Sequence, residues 1–462
     1  MIKKIILLLL SFIVINLIII SFSIYRLGLF NFNLDIINFL RYNFNFVQLL
    51  SFTNIIFYLI IFFLFLIICN FTQKNYYKFI LVFFSIILLL GTIKFCASYK
   101  VFYYLINKLD TSDFYEKHYV DAKKISIKAP EIKKNLILIF MESMEFTFAN
   151  KRIFKENLIP ELIQLSDKNI SFTKHLQGYF QDNTQMSLVA TMTGLPSRAL
   201  FINRNLQPNR VGIGLKKYLP KVYSLSEILK DNGYTTTFIQ GGNIYFSGAK
   251  TFLQQHGFDF IYGREELKKE FDNKVETNPW GVEDKLTFDF LKKEILNNSK
   301  TNVPFFFTMF TINTHFYEPS SIDEDITNIK QASKLIDDFI NWCNKQSFIK
   351  DTTIIIVGDH LRMKDKLNQF LDKNYDERYI YNTFINTVYS NNKINRDRTF
   401  SQIDLFPTIL EAIGFKVEGS KLGLGTSLFS DKKTLLEEFG ETELNFQLAK
   451  NNKLYKNLYK NR

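Results

Sequence analysis

From about residue 134 onward the chain repeats one rhythm: a short apolar run, an abrupt polar stop, then a stretch with helical spacing. The runs are Leu136–Met141, Thr235–Gln240, Phe305–Ile312, Thr353–Val357 and Phe384–Val388. They are too short for buried helices and lack the alternation of a strand with one wet face. That predicts strands of a parallel sheet covered on both sides. Repeated over about 300 residues, the pattern predicts an α/β fold, a doubly wound sheet with helices on both faces. The clearest helices are Ser226–Asn232, where Ser224 and Glu227 fit a capping box and Gly233 a stop, and Gln402–Ile413, with Pro407 near its first turn and Gly414 after it.

Open α/β sheets bind ligands beyond the carboxyl ends of their strands, so the polar stops matter. Glu142 follows NLILIFM, His315 follows FFFTMFTINT, and Asp359 and His360 follow TTIIIVG. Thr184 opens TQMSLVATMTGLP, a predicted helix stopped by Gly194 and Pro196. Two carboxylates, an imidazole and a hydroxyl on one divalent ion would make the threonine oxygen nucleophilic near neutral pH. Each residue also has a plainer reading. Glu142 is also read as a surface acid, with Glu145 competing for its role; Thr184 is also read as an N-cap. Ser187 and Thr191 are rival hydroxyls further along the helix, expected to bond to its backbone. His315 suits proton transfer, whereas His118, His175 and His256 are assigned structural roles.

The first hundred residues differ in kind. They carry eight Lys/Arg against one acid, Asp35, a net +7 of the chain's +12. Three apolar stretches, roughly Ile5–Ile24, Phe52–Phe71 and Phe79–Cys96, are long enough to cross a bilayer. Lys3, Lys4, Lys74 and Lys78 then place the residues after about 98 outside the cytoplasm. The aromatic stretch between the first two spans reads as an interfacial segment or as a fourth crossing. The basic excess is thus a membrane-topology signal and excludes a nucleic-acid footprint, which needs a clustered basic face. The expected organisation is a membrane region over 1–98, a juxtamembrane helix and linker over 99–130, a catalytic domain over 131–437 and an exposed or loosely docked basic tail over 438–462. Cys69 and Cys96 fall in or at the end of spans, and Cys343 stands alone in the remainder.

NLILIFMES, QDNTQMSLVATMTGLP, FIQGGNIYFSGAKTFLQQHGFDFIYG, NPWGVEDK, TINTHFYEP, IIIVGDHL and SQIDLFPTILEAIGF occur in the order found in the alkaline-phosphatase/sulfatase superfamily. Within it, residues 130 to 430 resemble the membrane-anchored phosphoglycerol transferases: the periplasmic glucan enzyme and, more distantly, lipoteichoic acid synthase. The resemblance implies an alkaline-phosphatase-like fold with a single divalent-metal site at Glu142, Thr184, Asp359 and His360. It makes Thr184 the nucleophile and places His315 near the scissile phosphate. The metal it implies is Mn2+ foremost, with Zn2+ or Mg2+ as alternatives. The Trp and Arg that grip glycerophosphate in lipoteichoic acid synthases fall near Ser247 and Ala249, so neither is present. Lys250 supplies a charge there, and Trp280 and Arg198 are further candidates for substrate binding. The implied reaction moves phosphoglycerol from phosphatidylglycerol to an envelope glycan or glycolipid. Phosphoethanolamine transfer, hydrolysis and a catalytically silent glycan-binding role are the alternatives. The implied place is the bacterial inner membrane, with the catalytic domain on the outer side.

Overall fold

A computed structural model describes residues 111–460, apart from 198–216, 276–277, 316–320, 364–366, 368–370, 372–377 and 392–393. The three apolar spans, Arg198 and residues 99–110 of the juxtamembrane segment lie outside the described residues. No helix among the described residues is long and apolar enough to cross a membrane.

The central sheet has six strands: β1 (Asn135–Met141), β2 (Thr235–Gln240), β3 (Phe260–Tyr262), β4 (Phe305–Phe310), β5 (Thr352–Gly358) and β6 (Asn382–Ile385). Their order is β3-β2-β4-β1-β5-β6. The first five run parallel, and β6 pairs antiparallel with β5. The last apolar run therefore departs from expectation, starting at Asn382 and running opposite to its neighbour. Apolarity encodes burial on both faces and leaves direction open. The edge strand β3 escaped the pattern because it is three residues long and its Phe260 is half exposed.

β1 is central because every residue from Leu136 to Met141 is fully buried. Asn135 sets its register at the entrance. Its side chain accepts from the Phe305 amide at 3.1 Å and donates to Thr352 Oγ1 at 3.2 Å, clamping β4 and β5 to β1. On one face Ile137, Ile139, Phe307 and Ile356 pack against α1 (Pro160–Lys168), α4 (Asp284–Asn298) and α5 (Ile322–Cys343). On the other, Phe140 stacks on Phe310 with centroids 4.2 Å apart, and Phe310 meets Phe238 at 5.8 Å. There α2 (Thr184–Thr193) packs against α3 (Leu225–Asp231) and α6 (Gln402–Ala412).

α6 begins where expected, but Pro407 lies in its second turn, because Ser401 and Asp404 cap the helix one residue before Gln402. Proline supplies no N–H to the carbonyl four residues back, that of Ile403. The chain at Gly425 passes so close to this oxygen that a Cβ there would lie 2.0 Å from it.

The carboxyl end is not a loose tail. It forms α7 (Leu435–Ala449) and α8 (Lys453–Leu458). Asn452 donates to the Ser112 carbonyl and to Glu116, both at 2.6 Å, and the buried Tyr455 donates to the Pro196 carbonyl at 2.7 Å. A basic, polar composition concealed two tyrosines and two leucines spaced to make one apolar face.

Candidate metal-centred active site

Three adjacent strands deliver the polar stops to one place. Glu142 is the first residue after β1, Asp359 and His360 follow β5, and His315 lies five residues beyond β4. Thr184 comes from the first position of α2, with Asn183 as its N-cap, accepting the Met186 amide at 3.0 Å. Thr184 is therefore not the cap, and its hydroxyl is left for other partners. The glycine before Asp359 is required by packing. A Cβ on Gly358 would sit 2.0 Å from the Met144 carbonyl, so only glycine lets the loop after β1 close over the end of β5.

Glu142, Asp359 and His360 each offer a ligand atom within 4.8 Å of the others, and all three are buried. His360 Nε2 lies 3.5 Å from Glu142 Oε1 and 3.4 Å from Asp359 Oδ2. Its Nδ1 lies 2.8 Å from the Leu361 carbonyl, an acceptor only, so Nδ1 carries the proton and Nε2 turns a lone pair toward two carboxylates. Asp359 Oδ2 and His360 Nε2 have no hydrogen-bond partner although both are buried. A lone pair facing anionic oxygens in a dry site is repulsive unless a cation lies between them. Two carboxylates and an imidazole at this spacing fit a divalent ion.

The charges agree with that fit. Burial pushes Asp359 up to about 7, and the charge of Glu142 adds to the shift. Burial opposes ionisation of Glu142 as well, but His315, His360 and the hydroxyls of Ser143 and Thr184 hold it below the ordinary carboxylate value. Burial would lower His360, yet Asp359 and Glu142 together raise it. An incoming ion must therefore displace a proton held by this cluster. Metal affinity is expected to be high at pH 8 and to weaken steadily below pH 7, as Asp359 takes up its proton. Calorimetric titration of Mn2+ in buffers of different ionisation enthalpy checks both the slope and the proton released.

Thr184 is half-buried, and its Oγ1 donates to Glu142 Oε2 at 3.0 Å. The rival hydroxyls are tied elsewhere, though not to the helix backbone as expected. Ser187 donates to the Asp359 carbonyl, and Thr191 donates to Gln402 Oε1 at 3.2 Å. Glu145 is fully buried and grips Arg378 through both oxygens, at 2.9 and 2.5 Å, which leaves the metal cluster to Glu142.

His315 lies under Trp280, ring centroids 3.8 Å apart, and Trp280 is 38% exposed. Glycines make this contact. A Cβ on Gly281 would lie 2.0 Å from the Gly241 carbonyl, and Gly242 bridges to Gly281, so the GGN and WGV motifs cross backbone on backbone. Asp284 then receives the amides of Ile312 and Asn313 at 2.8 and 3.0 Å, fixing the turn that carries His315. Lys250 lies over the Tyr245 ring, 2.8 Å from its hydroxyl and 3.9 Å from Glu266. The other histidines sit in packing contexts: His175 stacks on Phe400, His256 joins Glu227 to the Tyr218 carbonyl, and His118 packs on Phe439.

Sequence reasoning missed the groups that hold the ligands. Ser143 adopts φ 53°, an uncommon conformation for serine. There its amide donates to Asp359 Oδ1 at 2.8 Å and its hydroxyl to Glu142 Oε1 at 2.6 Å. Gln402 donates to the carbonyls of Gly358 and Asp359 at 2.8 and 2.6 Å. The position of Ser143 beside Glu142 was the available signal; Gln402 gave none.

Comparison with known proteins matches this architecture. The family model described as Sulfatase matches residues 134–415. Phosphoglycerol transferase I of Salmonella typhi is 30% identical over 262 residues, covering 53% of this chain and 33% of that protein. The protein of the same name from Escherichia coli O6:K15:H31 is 29% identical over 265 residues, covering 54% and 34%. The matched stretch thus spans about a third of the length of these relatives. Among solved structures, a protein in the alkaline phosphatase superfamily from Vibrio parahaemolyticus superposes with a TM-score of 0.53 at 23% identity, covering 69% of this chain and 77% of the other. The lipoteichoic acid synthase LtaP from Listeria monocytogenes gives 0.50 at 17% identity, covering 66% and 79%. The structural likenesses carry the fold, the family model covers most of the described residues, and the chain belongs to the sulfatase family, in its alkaline-phosphatase-like α/β form.

Proposed function

We propose that this chain is a metal-dependent transferase that moves a phosphoglycerol head group from phosphatidylglycerol to an envelope glycan or glycolipid. The observation that carries the reading is the Thr184 hydroxyl, half-buried at a helix N-terminus and 3.0 Å from a carboxylate whose cluster has two orphaned buried ligand atoms. The curated relatives named phosphoglycerol transferase I support the head group. Glu142, Asp359 and His360 would hold the ion, with Thr184 beside them, and Mn2+ is the metal proposed. When bound, it supplies Lewis-acid stabilisation of phosphoryl charge and favours the ionised hydroxyl.

The chain's own residues do the rest. Glu142 Oε2 keeps the hydroxyl proton of Thr184 turned aside, so a lone pair faces the incoming phosphorus. Glu142 Oε2 takes the hydroxyl proton as a bond forms from Thr184 Oγ1 to phosphorus and the bond to the diacylglycerol oxygen breaks, giving phosphoglycerol esterified to Thr184. His315 gives the departing alkoxide its proton, then takes one from an acceptor hydroxyl that attacks the same phosphorus, and Thr184 leaves with the proton returned by Glu142. Trp280 packs on the imidazole of His315 and limits its movement, and the N-terminus of the ten-residue α2 favours the phosphoryl charge. The apolar N-terminal spans would keep donor and diacylglycerol at the site, with the catalytic domain on the outer face of a bacterial inner membrane. Lys250 and Arg198 are proposed for the head-group pocket.

Intact-mass analysis after incubation with Mn2+ and phosphatidylglycerol is expected to show a phosphoglycerol adduct that maps to Thr184. A phosphoethanolamine adduct formed only from phosphatidylethanolamine would replace the donor. No adduct from either lipid would overturn transfer and favour a glycan-binding role.

A further inference from the structure

Arg362 lies three residues beyond Asp359, is only 3% exposed, and makes no contact that the reaction above requires. Its contacts reach the loop after β1, the turn after β4 and the first turn of α5. One guanidinium nitrogen, Nη1, donates to the Thr314 carbonyl at 2.9 Å, while Nη2 lies 3.0 Å from Asp325 in the first turn of α5. Its amide donates to Glu145 Oε1 at 3.3 Å, and its carbonyl accepts from Arg378 Nη2 at 3.2 Å. Thr314 is itself held from the other side, its hydroxyl donating to the Glu142 carbonyl at 2.5 Å. His315 is the next residue.

The geometry points to Arg362 as a positioning residue that fixes His315 relative to Thr184 and the Glu142–Asp359–His360 cluster. The turn after β4 is anchored at Ile312 and Asn313 by Asp284, but beyond them its far end is tied to the β1 and β5 loops through Thr314. Arg362 is the link to the β5 side, and Asp325 orients its planar fork so that the second nitrogen meets the Thr314 carbonyl. Lysine has one nitrogen on a flexible stem and cannot serve both acceptors in fixed geometry. The loss therefore falls on the placement of the His315 imidazole, while the three ion ligands keep their own partners.

This inference rests on the reading of His315 as the acid for the leaving alkoxide, and its test separates the two. Arg362→Lys, His315→Ala and Asp325→Asn are compared in the first turnover, which forms the Thr184 adduct, on phosphatidylglycerol, whose alkoxide needs a proton, and on a p-nitrophenyl phosphodiester, whose phenolate leaves without one. Arg362→Lys is expected to slow the lipid reaction by about 10–100-fold, the scale of an outer-shell positioning loss. The aryl reaction and the Mn2+ affinity should change by less than about threefold. Asp325→Asn should show the same selectivity more weakly, and the double variant should be no slower than Arg362→Lys, because both act through one chain of contacts.

Equal slowing of both substrates by Arg362→Lys, or a parallel fall in Mn2+ affinity, would overturn the positioning role and mark Arg362 as part of the general framework. If His315→Ala is selective for the lipid while Arg362→Lys is not, the acid reading stands and the role of Arg362 falls. If His315→Ala slows both substrates equally, both readings fall together. Melting temperatures of the variants with Mn2+ identify any that are merely unfolded, and for such a variant Arg362→Gln, which keeps a planar donor of smaller reach, is measured in its place with the same selectivity expected.

Discussion

Under the proposed mechanism, Thr184→Ala is expected to lower head-group transfer by on the order of 10⁴–10⁶-fold, as removal of a covalent nucleophile does, and to abolish the protein adduct. The fold should barely register the change. Thr184 is half-buried at the helix start, the N-cap is the neighbouring Asn183, and the lost hydrogen bond to Glu142 costs about 1 kcal/mol. The ion keeps Glu142, Asp359 and His360. Thr184→Ser should retain adduct formation at reduced rate, because the hydroxyl survives while the methyl that restricts its rotamer does not. Transfer by the alanine variant within tenfold of the parent would mean that another group forms the bond.

Asp359→Asn should separate stability from function. Without an ion, Asp359 Oδ2 is buried and has no hydrogen-bond partner, beside the charge of Glu142. Folding raises its pKa from 3.8 to about 7, so between these values the folded chain holds a proton that the unfolded chain releases. The metal-free protein must therefore lose stability as pH rises from about 4 to 7. Asparagine removes that slope, and the metal-free variant should melt at or above the parent temperature at pH 8. With saturating Mn2+ the order reverses. An ion at a hundred times its dissociation constant stabilises the parent by about 2.7 kcal/mol, and the variant should gain almost none of this. Melting curves of parent and variant at pH 5 and pH 8, each with and without Mn2+, check all four expectations. A metal-free variant that melts well below the parent at pH 8 would contradict the orphaned-charge account.

The sheet was legible because parallel strands write their burial directly into sequence. NLILIFM and TTIIIVG leave little choice of structure, and their polar stops fall at the strand ends where Glu142 and Asp359 stand. Direction and edges were not legible. β6 is nearly as buried as a parallel strand yet runs the other way, and β3 pairs only over Phe260–Tyr262. The choice between Glu142 and Glu145 was also hidden, since both follow the same strand. It is made by Arg378, more than two hundred residues away in sequence, which Glu145 holds as an ion pair. Gln402 opens a helix otherwise read for its capping signals, and its hold on the Gly358 and Asp359 carbonyls exists only once α6 has docked. Long-range polar contacts of this kind leave no periodic trace.

The docking of α8 means that its N-cap, Asn452, meets Ser112, while Tyr455 reaches Pro196, just beyond the helix that begins with Thr184. The two ends of this folded unit are thus neighbours. A circularly permuted version, with a short linker joining residue 460 to residue 112, would ask little of the backbone. A truncation ending at Phe429 would instead strip the support from behind the helix that begins with Thr184.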